Sequence, residues 1–312
     1  MIRLATVSPC YNEEEVLRHS IERLTALFER MIAEELISKD SMMVFVNDGS
    51  FDRTPDVLNE LVATADKPVK AVHFSRNYGK ESAILAGLNE ATGDCFTIMD
   101  GDLQQGPDVV VEMVRYLEEH PECDCVTAFQ ESRSESPVMV FFKDSFYRII
   151  NRVSDVEFVS GASDFRTFRR NVRDAVLSMP ETSRFSKGIF SWVGFETHYI
   201  PYTAAERLTG TSKWNFFKLW RYAISGIISF TTTPLRLPLV FGGITGSAAV
   251  ASAVFDKKKK DRALPAILGT GSVLLFAIGV LGEYIARVFQ ETKHRPVYLI
   301  KEVLDNQKER SE

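Results

Sequence analysis

Short apolar runs alternate, from Arg3 to Phe129, with longer segments in which apolar residues recur every three or four positions. The apolar runs predict five β-strands, at residues 3–8, 41–47, 69–74, 95–99 and 124–129. The longer segments predict helices over residues 13–37, 81–91 and 107–119, and a further helix that opens at Pro55. Strands that alternate with helices through short connections are typical of an α/β domain whose mostly parallel sheet is covered on both faces.

Beyond Phe230 the pattern changes to long uncharged runs. Residues 237–255 and 263–282 carry no charged side chain, and the segment DKKKKDR lies between them. Each run approaches the roughly 20 residues that cross the core of a bilayer, so together they predict two transmembrane helices. The preceding segment, WNFFKLWRYAISGIISF, mixes aromatic and basic residues, which favours a juxtamembrane amphipathic helix at the membrane surface over an amphipathic core helix.

These patterns predict four parts of the chain. An α/β domain covers residues 1–212, and an interfacial helix covers residues 213–233. A transmembrane hairpin follows at 234–290, and a C-terminal tail at 291–312.

Composition narrows the classes of function. The net charge is −5, so bulk charge does not indicate a nucleic-acid partner. Neither the glycine-rich sequence of dinucleotide-binding folds nor that of P-loops is present. The five histidines are scattered, and the four cysteines lack zinc-finger spacing and are interpreted as reduced thiols in a cytosolic setting. The N-terminal segment does not have the pattern of a signal peptide.

Polar sequences follow four predicted strands where each strand ends. They read PCYNEEE, NDGS, SRNYGKE and DGDLQQ. In a mostly parallel sheet such ends share one edge, where the ligands of open α/β sheets bind. In the fourth sequence Asp100 and Asp102 flank a glycine, and Gln104 adds a further oxygen; this set suits Mg²⁺ or Mn²⁺, which usually also contact substrate phosphates. The alternative is that polar loops simply cap the strands.

Seven segments, in order along nearly the whole chain, together resemble the family-2 glycosyltransferases. They are PCYNEEE, VNDGSFDRT, SRNYGKESAILAGL, MDGDLQ, GASDFR, ERLTGTSKW and GVLGEYIARVFQETKHRPVY. More narrowly, they look like the branch that moves a sugar from a nucleotide onto a polyprenyl phosphate, the branch of dolichol-phosphate mannose synthase and bacterial bactoprenol glucosyltransferases. The resemblance implies a GT-A nucleotide-sugar-binding domain and a metal-dependent, inverting transfer.

The resemblance also implies roles for individual residues. The nucleotide would be held by Pro9, Tyr11, Asn12, Glu13, Asp48, Lys80 and Asp100. The metal ligands would be Asp100, Asp102 and Gln104. Asp164 in GASDFR would face the sugar and the acceptor as a candidate general base. Since a phosphate monoester is mostly dianionic at about pH 7, the acceptor could also attack unaided, and Asp164 would then only position groups.

A basic set is expected near the phosphates. By resemblance, Arg207, Ser212 and Lys213 in ERLTGTSKW lie there, and Arg207 joins Asp164 and Asp102 as a catalytic candidate. Arginine and lysine can neutralise a leaving diphosphate, although a solvated loop would have the same composition. After the fifth strand, where the family carries several basic residues, only Arg133 precedes Lys143. That loop would clamp phosphate less strongly, or Arg133 would do so alone.

The predicted activity is transfer of a single sugar from a nucleotide sugar, with UDP-glucose favoured, to undecaprenyl phosphate in the membrane. The chain has no Q-x-x-R-W sequence, which marks processive polysaccharide synthases. Nucleotide sugars are cytosolic, so the catalytic domain and the tail are expected on the cytoplasmic side of a multi-pass protein of the cytoplasmic membrane. The resemblance also allows a homo-oligomer, namely a tetramer.

Two other functions stay open at this point. A transferase of the same fold could use a glycan or protein hydroxyl as acceptor. A membrane-anchored protein could also bind a nucleotide sugar without turnover.

Overall fold

The chain forms two compact units. The computed structural model describes residues 1–103, 106–130, 148, 150–152, 159, 161–202, 228–255 and 263–309. We call the first unit the α/β unit; it comprises Met1–Tyr147, Phe158–Lys213 and Pro296–Glu312. We call the second the hydrophobic unit; it comprises Arg148–Glu157 and Trp214–Arg295.

Strands and helices alternate through the α/β unit. Its strands are β1 (Leu4–Cys10), β2 (Met42–Asn47), β3 (Val69–Phe74), β4 (Cys95–Ile98), β5 (Cys125–Gln130), β6 (Ala162–Arg169), β7 (Thr197–Tyr202) and β8 (Ile300–Asp305). Its first six helices are α1 (Glu14–Ala33), α2 (Thr54–Thr64), α3 (Lys80–Glu90), α4 (Asp108–Glu119), α5 (Arg170–Ser178) and α6 (Ser186–Trp192). The hydrophobic unit contributes α7 (Leu237–Phe255) and α8 (Ala263–Thr292), and the short α9 (Asn306–Glu309) follows β8.

The eight strands form one sheet in the order β7-β5-β6-β4-β1-β2-β3-β8. Neighbours β4, β1, β2 and β3 run parallel, and β7 runs parallel to β5. Strand β6 is antiparallel to both β4 and β5, and β8 is antiparallel to β3. Six of these strands therefore share one direction, which confirms the predicted mostly parallel sheet.

The core lies on both faces of the first four strands. Each of β1 to β4 is buried along its whole length, as expected when helices cover both faces. Helix α1 buries one side, with Leu17, Leu24, Phe28 and Met31 against the sheet. Helical spacing predicted this face correctly, although the helix ends at Ala33 rather than near residue 37.

Three strands were not predicted from the sequence. Strand β6 carries Asp164, Arg166 and Arg169, so it shows no apolar run. Strands β7 and β8 lie at the two edges of the sheet and pair on one side only. Edge strands tolerate polar residues, which explains why the IKEVLD sequence of β8, within the predicted tail, gave no strand signal.

The side chain of Asn306 fastens the end of β8 to the sheet. It accepts a hydrogen bond from Val69 N (2.9 Å) and donates to the carbonyls of Ala65 (3.1 Å) and Lys67 (2.7 Å). Asn306 is buried, so water does not replace these bonds. The segment after the hydrophobic unit is therefore an integral part of the α/β unit.

The hydrophobic unit contains the two uncharged runs as helices α7 and α8. Its 3-10 helix, Thr233–Arg236, precedes α7, and Tyr284 Oη of α8 donates to the carbonyl of Thr231 (2.6 Å). Among the described residues, one helical segment, Gly269–Thr292, is long and apolar enough to cross a membrane by length and composition. The predicted interfacial helix lies outside the described residues except for residues 228–233.

Candidate active site

The polar loops after β1 to β4 lie at one edge of the sheet, because these four strands are parallel. We call this edge the strand-end rim; its strands end at Cys10, Asn47, Phe74 and Ile98. The prediction that the four loops share one edge is confirmed.

The loops after β1 and β2 are tied together by hydrogen bonds. Asn12 N donates to Ser50 Oγ (3.0 Å), and Phe51 N donates to Asn12 Oδ1 (2.9 Å). Glu13 N donates to Thr54 Oγ1 (3.0 Å). Asn12 has a φ of 53°, in the left-handed region that asparagine tolerates better than most residues. The chain thus fixes the expected nucleotide loop before any ligand binds, and Ser50 and Thr54 are contributors that the sequence prediction did not name.

Asp48 fixes the loop between β3 and α3. Its Oδ1 accepts a hydrogen bond from Tyr78 N (2.6 Å), and its Oδ2 accepts one from Gly79 N (2.9 Å). Burial raises the pKa of this carboxyl group, although the two backbone hydrogen bonds act in the opposite direction. Gly79 has a φ of 95°, which L side chains rarely adopt. Asp48 therefore holds the backbone immediately before Lys80 in place.

Lys80 lies between two carboxylates of the rim. Its Nζ is 2.6 Å from Asp100 Oδ1 and 3.0 Å from Asp164 Oδ2. Ile98, at the end of β4, pairs with Arg166 of the neighbouring strand β6, which also carries Asp164. Burial lowers the pKa of Lys80, but the two carboxylates outweigh it and raise that pKa. Lys80 thus forms ion pairs with one of the two predicted aspartate ligands, Asp100, and with Asp164.

Asp164 lies in a strongly positive environment. Burial raises the pKa of its carboxyl group, but the charges of Lys80, Lys187 and Arg166 outweigh burial and hold the pKa at about 2. Its Oδ1 is buried and has no hydrogen-bond partner among the described residues. A carboxylate with so low a pKa is a weak proton acceptor near neutral pH.

A further layer of side chains supports this cluster. Ser186 donates to Glu81 Oε2 through its backbone N–H (2.9 Å) and through its hydroxyl. Arg166 is buried, stacks over the Phe190 ring at 4.2 Å and donates to the Ser163 carbonyl (2.9 Å). Glu81 and Arg166 stand in the segments SRNYGKES and GASDFR, so the motif signal was present, but their partners in α6 have no sequence signature.

Gly101 brings the acidic loop against the loop after β1. A Cβ at this position would overlap the Glu13 carboxylate and lie 3.0 Å from Cys10 Sγ. Burial raises the pKa of the Cys10 thiol well above its ordinary value, and it is raised further by the carboxylates of Glu13, Asp100 and Asp102. Three predicted acids thus lie around one buried thiol, and only glycine fits between them.

The donor chemistry of this loop fits a divalent cation. Asp100 and Asp102 offer the hard oxygen ligands that Mg²⁺ and Mn²⁺ prefer. Within the described part of the chain, however, no group of three or more His, Cys, Asp or Glu side chains is placed to hold a metal ion. The two aspartates would need further oxygen donors to complete a coordination shell.

The other predicted site residues divide into two groups. Pro9 and Tyr11 lie at the rim, at the end of β1 and directly after it. The remaining residues lie outside the described ones, so the structure does not place them: Gln104, Arg133, Arg207, Ser212 and Lys213.

Comparisons with known proteins show the family of the chain. The sequence pattern of "Glycosyl transferase family 2" matches residues 6–177. The chain is 36% identical over 315 residues to the "Prophage bactoprenol glucosyl transferase homolog" of Escherichia coli (strain K12), covering 97% of this chain and 99% of that protein. It is also 36% identical over 313 residues to the "Bactoprenol glucosyl transferase" of Shigella phage SfV, covering 96% and 98%.

Two further proteins extend the comparison. The "Putative glycosyltransferase CsbB" of Bacillus subtilis (strain 168) is 36% identical over 309 residues, covering 96% of this chain and 91% of that protein. Among solved structures, the mannosyltransferase PcManGT from Pyrobaculum calidifontis, in complex with GDP-Man and Mn²⁺, is 18% identical with a TM-score of 0.48, covering 95% of this chain and 76% of that chain. The family pattern covers more than half of the chain and these relatives cover nearly all of it. The α/β unit accordingly has a GT-A-like fold, and the chain belongs to glycosyl transferase family 2.

Proposed function

We propose that the protein transfers one glucose from a nucleotide-diphosphate sugar, UDP-glucose being favoured, to undecaprenyl phosphate with inversion at the anomeric carbon. One observation carries the proposal: the similarity to proteins named bactoprenol glucosyl transferases extends over nearly the whole chain. It includes the C-terminal helices that contain the two uncharged runs as well as the α/β unit.

The nucleotide would bind along the strand-end rim. The proposed contacts come from the loops after the first three strands and from the acidic loop: Pro9, Tyr11, Asn12, Glu13, Asp48, Lys80 and Asp100. The hydrogen bonds among these loops support the assignment, because a site that is already ordered loses less conformational entropy when its ligand binds.

Asp100 and Asp102, completed by Gln104, would hold Mg²⁺ or Mn²⁺. When bound, the ion supplies charge neutralisation for the diphosphate that leaves. Further positive charge around the phosphates would come from Arg133, Arg207 and Lys213, and Ser212 would add a hydroxyl donor. Arginine can grip a phosphate with two parallel hydrogen bonds, whereas lysine acts as a point charge.

Asp164 would orient groups around the acceptor rather than remove a proton. Its pKa of about 2 makes it a poor general base near neutral pH. A phosphate monoester has a second pKa of about 6 and is mostly dianionic at pH 7, so its oxygen can attack without a base. A sugar or protein hydroxyl would need one. A phosphate acceptor therefore requires no base at Asp164.

The protein would be a multi-pass protein of the cytoplasmic membrane. In this proposal α7 and α8 cross the bilayer, the segment at 213–233 lies at its surface, and the α/β unit faces the cytoplasm. The lengths of the uncharged runs in these two helices support this placement. A lipid acceptor explains why a sugar-transferring domain would be held at a membrane.

An acceptor panel tests the proposed function. The purified full-length protein is given labelled UDP-glucose and Mg²⁺ with undecaprenyl phosphate, undecaprenol or a soluble glycan. We expect label only in the lipid phosphate. Preferred transfer to undecaprenol or to the glycan would support the hydroxyl-acceptor alternative, and donor binding without any transfer would support a non-catalytic binding protein.

A further inference from the structure

Lys80 is held in position by both of its neighbours in the chain. The preceding residue, Gly79, donates its backbone N–H to the Asp48 carboxylate (2.9 Å). The following residue, Glu81, accepts the backbone N–H of Ser186 (2.9 Å). The start of α3 is thus anchored on two sides, and its lysine side chain reaches the rim from a fixed backbone.

The position of the Lys80 ammonium is set by two acids. Asp100, just beyond β4, and Asp164, on β6, both lie within 3.0 Å of its Nζ. Like charges that close repel, and more strongly where the surroundings are partly buried. The Asp164 side chain is 17% exposed and the Asp100 side chain 36%, so solvent screens Asp164 more weakly than Asp100. A single ammonium within 3.0 Å of both carboxylates offsets this repulsion.

The same ammonium occupies one oxygen of a proposed metal ligand. Asp100 Oδ1 is the atom in contact with Lys80 Nζ, at 2.6 Å. A divalent cation on the two aspartates of the DGD sequence would place a second positive charge within a few ångströms of this ammonium. Two cations that close repel, so the lysine and the metal ion compete for Asp100.

We propose that Lys80 is an exchangeable counter-ion of Asp100, which it holds until a divalent cation binds there and displaces it, while its ion pair with Asp164 remains. The inference rests on the metal use that forms part of the proposed function. It has two consequences. Metal binding is weak in the absence of nucleotide, because the ammonium must be displaced from Asp100. Nucleotide and metal then bind cooperatively, because the diphosphate offers the displaced ammonium a new anion.

Mn²⁺ binding measured without nucleotide tests the competition. Titrations of the purified full-length protein, followed by the paramagnetic signal of free Mn²⁺, compare the wild type with three variants. Lys80→Met removes the charge at similar side-chain length and should bind Mn²⁺ about tenfold more tightly, since Coulomb repulsion is lost. Lys80→Arg keeps the charge and should stay close to the wild type. Lys187→Met is the matched control, because it removes another positive charge that acts on Asp164 by the same change of side chain.

If Lys80→Met binds Mn²⁺ no more tightly than the wild type, the proposal is overturned. It is also overturned if Lys187→Met gains as much Mn²⁺ affinity as Lys80→Met. Lys80→Met must also give no gain of Mn²⁺ affinity in a protein that already carries Asp100→Asn, because the competition is for that carboxylate. Thermal unfolding of each variant checks that the proteins are folded, and Lys80→Arg gives a folded comparison if Lys80→Met is unstable. A Lys80→Arg protein that gains affinity like Lys80→Met also overturns the proposal.

Glucose transfer by the wild type is measured in the same preparations, which separates this inference from the proposed function. If the wild type transfers glucose but Lys80→Met shows no gain of Mn²⁺ affinity, only the counter-ion role is refuted. If Lys80→Met gains Mn²⁺ affinity but the wild type does not transfer glucose to lipid phosphate, the proposed function is refuted and the counter-ion role is retained.

Discussion

Replacing Asp48 with asparagine should loosen the loop that positions Lys80. The carboxylate accepts backbone N–H groups of Tyr78 at 2.6 Å and of Gly79 at 2.9 Å, one on each oxygen. Asparagine keeps one acceptor oxygen and turns an NH₂ group toward the other N–H. Asp48 is only 3% exposed, so water cannot replace the lost bond. Hydrogen bonds to a charged group contribute about 1.5–3 kcal/mol each, so the change should cost about 2–4 kcal/mol of unfolding free energy.

The expected consequence at the site is weaker donor binding. Unfolding of the purified full-length protein would be followed in denaturant, and UDP-glucose affinity by calorimetry. Because Lys80 directly follows Gly79, Asp48→Asn should raise the Kd for UDP-glucose by roughly tenfold through loss of preorganisation.

Asp52→Asn is the matched control for this experiment. Asp52 also accepts two backbone N–H groups, from Glu14 (3.1 Å) and Thr54 (3.0 Å), but these lie at the starts of α1 and α2. Its replacement should lower stability by about 1 kcal/mol and reduce donor affinity much less than Asp48→Asn does. The reasoning would be refuted if Asp48→Asn had the same stability and donor affinity as the wild type. It would also be refuted if Asp52→Asn lost as much donor affinity as Asp48→Asn.

Three further predictions use other parts of the α/β unit. Gly101→Ala should lower kcat/KM at least about tenfold while leaving the fold intact, because the added Cβ would displace the Glu13 carboxylate. Steady-state kinetics equal to those of the wild type would contradict this. Asn306→Ala removes three hydrogen bonds of a buried side chain and should cost about 2–4 kcal/mol in denaturant unfolding; an unchanged midpoint would show that β8 is not fastened as described. The folded-state pKa of Asp164, about 2, lies below its unfolded value, so its contribution to stability is present above about pH 4 and is lost as pH falls toward 2. That loss, about 2 kcal/mol at most, should be missing from the acid unfolding curve of Asp164→Asn.

The parallel centre of the sheet could be predicted because its strands are continuous apolar runs separated by helical periodicity. Residues 69–74 were predicted as a strand, and β3 covers those positions. The shared edge of the polar loops followed from strand direction alone. The family resemblance, carried by motifs at that edge, is confirmed by the comparisons.

The antiparallel additions could not be predicted, because their strand character depends on partners distant in sequence. Strand β6 becomes a strand by pairing with β4 and β5, and its charged residues conceal that pattern. The same strand carries Asp164, whose carboxylate contacts the same ammonium as Asp100. The ion pairs of Lys80 could therefore not be predicted from the sequence, although Lys80, Asp100 and Asp164 were each identified from a separate motif.

The anomeric configuration of the lipid product tests the central claim most directly. Purified full-length protein would be incubated with ¹³C-labelled UDP-glucose, Mg²⁺ and undecaprenyl phosphate, and the extracted lipid examined by NMR. Glucose is α-linked in UDP-glucose, so inverting transfer to the acceptor phosphate predicts a β-linked glucosyl phosphate. Coupling of the anomeric carbon to phosphorus shows the link to phosphate, and coupling of that carbon to its own proton shows the β configuration. An α-linked product, or glucose bound to anything other than the lipid phosphate, would contradict the account.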